Sequence, residues 1–189
     1  MSTARTSAEG VSDFATVARM ASAAGLQGGA PKVLLHLGDE HLVVLSGQGD
    51  QAPTEQRLDL GVLRIVRDFF HHDPPTALEI ERAIDVVEDE LMRLGPRAGA
   101  GTALWSASDA LQAWAALTGP TMAIETVEQW FQRLALGAHG QVDALQGLPA
   151  GREAAAALLV LREFMHHRGH PSVAVVEPPK ALVELPAST

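Results

Sequence analysis

The sequence predicts an α+β domain: one antiparallel sheet, built from an N-terminal and a C-terminal hairpin and covered by about six helices. Three observations carry this. Apolar runs at 33–37 and 41–45 flank Gly38-Asp39, a dipeptide suited to a two-residue turn. Near the other end, runs at 173–176 and 181–185 flank Pro178-Pro179, which cannot sit inside a sheet and so marks a connection. Between the two pairs, apolar residues recur at helical spacing.

Residues 1–10 are small and polar and read as a disordered leader, followed by a single domain over 11–189 with a candidate seam at 96–103. Val11, Phe14, Val17 and Met20 mark a short helix with Ser12 and Asp13 at its start, ended by Gly25 and Gly28-Gly29. A two-residue turn at Gly38-Asp39 sets His36 opposite His41, a pair with some capacity to chelate a metal. Residues 47–56 read as a polar Gly/Pro loop.

The stretch from Leu58 to Leu94 organises the chain. One helix is expected from Leu58 to Phe69-Phe70-His71-His72, where Asp73-Pro74-Pro75 breaks it. A second opens at Thr76, which has capping-box spacing with Glu79. Ile80, Ile84, Val87, Leu91 and Leu94 form its apolar face, and Gly95-Pro96 ends it. Its polar side is acidic; Glu79–Arg82 and Asp89–Arg93 have pairing distance, and Glu81, Asp85 and Glu88 share a flank.

Ser106 and Asp109 have N-cap spacing for a helix carrying Trp114, ended at Thr118-Gly119-Pro120. Thr121 then opens a helix with a stripe of Ile124, Val127, Phe131 and Leu134, which Gly137 stops. After a loop over 137–151, an alanine- and leucine-rich helix spans Arg152 to Arg168 with Gly169 as its terminator.

Composition excludes several functions. There is no cysteine, hence no disulfide, thiolate ligand or thiol nucleophile. The net charge of −9, with no basic stripe, argues against nucleic acid as a partner. No secretory signal and no long apolar run are seen, so a cytoplasmic location without membrane insertion is expected. Lys32 and Lys180 are the only lysines, and alanine and glycine abound, a usage typical of GC-rich bacterial genomes. No nucleophile elbow, zinc-protease motif, dinucleotide fingerprint or phosphate loop occurs.

One internal echo remains. Residues 65–72 and 160–167 both read as a helix end containing an acid three residues before a histidine: Asp68 with His71, and Glu163 with His166. That spacing puts both side chains on one helix face, as in the paired Glu-x-x-His of di-metal carboxylate proteins. The candidate metal ligands are therefore Asp68, His71, His72, Glu163, His166, His167 and His170, with Fe, Mn or Zn as the cation and Glu81, Asp85 or Glu88 as further donors. Against this, paired histidines also suit a helix C-terminus electrostatically, and Arg64 already accounts for Asp68.

The leading expectation is a non-catalytic interaction or accessory module with no cofactor, acting as a homo-oligomer or with a protein partner. The alternative is a metal-dependent enzyme, hydrolase or oxidoreductase, using the two Asp/Glu-x-x-His helix ends. A third reading is a small apolar or cationic ligand held between sheet and helices near the tryptophans.

Overall fold

The computed structural model describes residues 32–47, 54–95 and 102–176. Six strands form one sheet there: β1 (Lys32–Leu37), β2 (Leu42–Gly47), β3 (Thr54–Leu58), β4 (Ala103–Ser106), β5 (Thr121–Ala123) and β6 (Ser172–Val175), in the spatial order β3-β2-β1-β4-β6-β5. Five helices accompany them among the described residues: α1 (Val62–Asp68), α2 (Ala77–Leu91), α3 (Gln112–Thr118), α4 (Ile124–Ala138) and α5 (Arg152–Arg168). The class is α+β. The leader at 1–10, the helix at 11–24 and the second hairpin's return run at 181–185 lie outside the described residues.

The sheet is mixed, which corrects the antiparallel expectation. β1, β4 and β6 are parallel neighbours, while β2, β3 and β5 pair antiparallel at the flanks. Parallel neighbours need long crossovers, and the helices supply them. β4 lies where a connector is expected, β3 overlaps the expected loop, and β5 occupies an expected helix start. All three are short, and β3 (Thr-Glu-Gln-Arg-Leu) is mostly polar, so none carries the apolar alternation that identifies a strand.

The first hairpin forms, with a longer turn than expected. Gly38 N–H donates to His41 O at 3.0 Å, making a four-residue loop that pairs Leu37 with Leu42. His36 therefore faces Val43, not His41.

α1 starts at Val62, because Leu58 still belongs to β3. Its first amides, on Val62, Leu63 and Arg64, donate to the carbonyls of Gly38 and Asp39 at 2.9–3.2 Å. The turn thus caps the helix. Gly61 is needed there, since a Cβ would stand 2.0 Å from Asp39 O. α1 ends at Asp68, so His71 and His72 follow the helix instead of finishing it.

α2 bears out its sequence signals. Thr76 and Glu79 form a reciprocal capping box, and Ile80, Val87, Leu91 and Leu94 are buried, with Ile84 partly so. The expected surface pairs differ: Arg93 joins Glu90 at 2.6 Å rather than Asp89, and Glu79 turns back to His72 instead of Arg82.

α5 is the hub. Residues 155–161 are all buried, and α1, α2 and α4 pack around it. Its run of alanines lets those backbones approach closely, while Leu158, Leu159, Val160 and Leu161 fill the gaps between them. Gly169 closes it in the left-handed conformation (φ 72°), where a Cβ is unfavourable. Central strand β1 is buried on both sides: Val33, Leu35 and Leu37 join the helix-covered core, and Leu34 meets Val43, Leu45 and Ala107 on the other face. No helix among the described residues is long and apolar enough to cross a membrane.

Candidate active site

In open sheets with parallel strands, ligands bind beyond the carboxyl ends of those strands. Here that edge carries the Gly38–His41 turn after β1, the Ala107–Asp109 segment after β4 and Val176 after β6. Its inner part is closed by hydrogen bonds. Ser108 Oγ accepts from Leu37 N–H at 2.7 Å and lies 2.9 Å from Ser106 Oγ, all three residues being buried. Val176 N–H donates to Ser106 O at 2.8 Å, and Gln112 Nε2 to Val176 O at 3.0 Å.

Beside this closed part a polar cavity of about 470 Å³ is bounded by the turn residue His41, the end of β3 and the last turn of α2. Arg57, Asp59, Glu90 and Arg93 give it its charge, and Leu58 and Leu94 line it as well. His41 Nδ1 is buried and stands 3.2 Å from Asp59 Oδ1, close to it but not aligned as a hydrogen bond. Arg64 Nη1 holds the same carboxylate oxygen at 3.6 Å. Asp59 thus sets a negative charge beside the imidazole, and the guanidinium is the group that suits phosphate or carboxylate oxygens, Arg93 being paired with Glu90 at 2.6 Å as it stands. Next to it, Glu40 pairs with Arg67 at 2.9 Å, and that hydrogen bond lowers the Glu40 pKa against the opposing effect of desolvation. Sequence reading singles out His41 only as a partner for His36; Arg57 and Asp59 meet it through β3, a strand with no apolar signature, and Arg93 through the end of α2.

The residues proposed from sequence as ligands separate into several groups. Asp68 pairs with Arg67 at 3.0 Å and Arg64 at 3.8 Å. His71 N–H and His72 Nδ1 both meet Glu79 Oε1 at 2.9 Å. His166 contacts Glu128, which also accepts from Arg162 Nε at 3.0 Å. His170 is buried and stacked on Phe164 at 5.8 Å, and burial lowers its pKa. Glu163 and His167 come together with Glu88: one donor atom from each lies within 4.8 Å of the others, the one such group among the described residues. Glu163 is buried beside Arg162; desolvation raises its pKa despite that guanidinium. For Arg162, burial acts to lower the pKa, but Glu163 and Glu128 prevail and raise it.

No protein-family model matches the chain, and no curated protein matches it in sequence. The fold does have relatives among solved structures. The Aquifex aeolicus PPX-GPPA enzyme superposes with a TM-score of 0.62 at 15% identity, covering 78% of this chain and 54% of the enzyme. The type II variant of the Aquifex aeolicus Ppx/GppA phosphatase gives 0.62 at 15% identity over 86% of this chain and 56% of that one. An exopolyphosphatase-like protein gives 0.60 at 16% identity over 79% and 56%. The described fold is therefore of the Ppx/GppA type, and the chain spans about half the length of these structures. This corrects the expectation of a non-catalytic module, which rests on the lack of a familiar motif. The architecture is one that these enzymes share.

Proposed function

We propose that this chain is a phosphohydrolase, or the half of one that carries the general base, acting on a phosphate ester or phosphoanhydride. The observation that carries the reading is the His41–Asp59 pair, opening on an arginine-lined cavity in a fold similar to that of phosphatases. Arg57 and Arg93 bind the phosphoryl oxygens and neutralise charge as it develops. His41 Nε2 takes the proton of an attacking water, the water oxygen bonds to phosphorus, and the leaving oxygen departs with its bonding pair. Asp59 stabilises the imidazolium that results.

Because similar structures carry the name exopolyphosphatase, inorganic polyphosphate is the first substrate to try. Phosphate release would be followed with purified chain and a divalent cation. His41→Ala and Asp59→Asn should lower kcat by about 10²-fold or more, the usual yield of a positioned acid–base group. Arg57→Ala and Arg93→Ala should chiefly raise KM. No release from polyphosphate or from simple phosphate esters, or full activity in His41→Ala, overturns the reading.

A further inference from the structure

We infer that Glu88, Glu163 and His167 form a binding site for one divalent transition-metal cation, zinc or manganese by donor chemistry, which ties α2 to α5. None of the three lines the polar cavity, so the site is independent of the catalytic proposal.

The geometry comes from helix periodicity. Glu163 and His167 are four residues apart on α5 and so share one face, against which Glu88 of α2 is set. His167 Nε2 and Glu88 Oε1 lie 3.5 Å apart. Metal–ligand bonds of about 2.0–2.2 Å put neighbouring donors roughly 3–3.5 Å apart, so this pair already has the spacing of two ligands on one ion. One imidazole with two carboxylates is a set that zinc and manganese accept.

Charge supplies the second argument. Glu163 is 2% exposed, and a buried carboxylate needs compensation. Arg162 donates to its Oε1. The same guanidinium also serves Glu128. Arg162 is thus divided between Glu128 and Glu163, and Glu88 brings a further carboxylate up to Glu163. A divalent cation held between Glu88 and Glu163 offsets the repulsion of the two carboxylates.

The test uses untagged chain stripped with chelator and titrated calorimetrically with zinc, then with manganese, alongside thermal unfolding. One ion per chain and a raised Tm are expected. His167→Ala and Glu88→Gln, both at partly exposed positions where folding should survive, should weaken binding by more than the roughly 10–100-fold that outer-sphere changes cost. His166→Ala, its ring turned to Glu128, should leave it unchanged. Absence of stoichiometric binding overturns the inference, as does binding that survives in both variants or is lost equally in His166→Ala, the mark of adventitious capture by surface histidines.

Discussion

His72 Nδ1 lies 2.9 Å from Glu79 Oε1, across the break that separates α1 from α2. The same oxygen accepts from His71 N–H at 2.9 Å, and Oε2 accepts from Thr76 N–H at 2.7 Å. One carboxylate thus fastens the approach to α2 as well as its first turn.

Its titration should be visible in stability. Burial would raise the Glu79 pKa, but the Thr76 amide, the His72 ring and the His71 amide outweigh it and bring it to about 2 from 4.5. With the folded value depressed, the stabilisation is complete above pH ~4.5 and is lost as pH falls toward 2; a difference of this size corresponds to on the order of 3 kcal/mol. Urea unfolding between pH 7 and 2.5 should show the loss. In Glu79→Gln, which should cost about 1–3 kcal/mol at pH 7, the slope across that window should flatten. An unchanged slope would show that another group carries the acid sensitivity.

Gly61 should not tolerate a side chain. The atom a Cβ would meet at 2.0 Å is a backbone carbonyl, Asp39 O, which is itself engaged with Leu63 and Arg64 amides and cannot swing away. Gly61→Ala is expected to cost about 2 kcal/mol or more. It should also displace the turn bearing His41, so activity should fall further than stability alone explains. Chemical denaturation and phosphate release on the same samples separate the two effects.

The helices were far more legible in the sequence than the sheet, and the reason is physical. Thr76, Glu79 and Gly169 act through their immediate neighbours, so local spacing reveals them. The parallel pairing of β1 with β4 joins residues such as Leu34 and Trp105, far apart in the chain, and β4 has only four residues in which to show a pattern. The candidate ligands followed the same divide. The spacing on α5 pairs Glu163 with His166, but His166 turns to Glu128 and it is His167, one residue on, that stands with Glu163; α1 stops at Asp68, three residues short of His71, so the apparent repeat is not a structural one. His41 and Asp59 come together only through strand pairing, and the four-residue turn sets where His41 stands.

The adjacent phenylalanines Phe69 and Phe70 should behave differently. Phe70 is fully buried in the main core, whereas Phe69 only packs against its margin. Phe70→Ala should cost about 3–5 kcal/mol, and Phe69→Ala about 1–2 kcal/mol, in line with the smaller apolar area it hides. Unfolding midpoints in urea, with unchanged m-values, would establish the ranking. Equal costs would mean that the chain after α1 repacks.

Ser108 ties β1 to the segment after β4 at the carboxyl edge, and its removal should be costly for a reason separate from volume. Leu37 lies in the strand's last position, its N–H is buried, and the acceptor at 2.7 Å is Ser108 Oγ. Ser108→Ala leaves that donor without a partner in a region sealed from water, at an expected cost of about 1–3 kcal/mol. Ser106→Ala removes only the 2.9 Å hydroxyl–hydroxyl contact and leaves Leu37 satisfied, so about 1 kcal/mol or less is expected. Hydrogen exchange at the Leu37 amide distinguishes the two: fast in Ser108→Ala, protected in Ser106→Ala. Protection in both would mean that Ser106 Oγ or the backbone takes over the bond, and that this edge is less tightly built than its geometry implies.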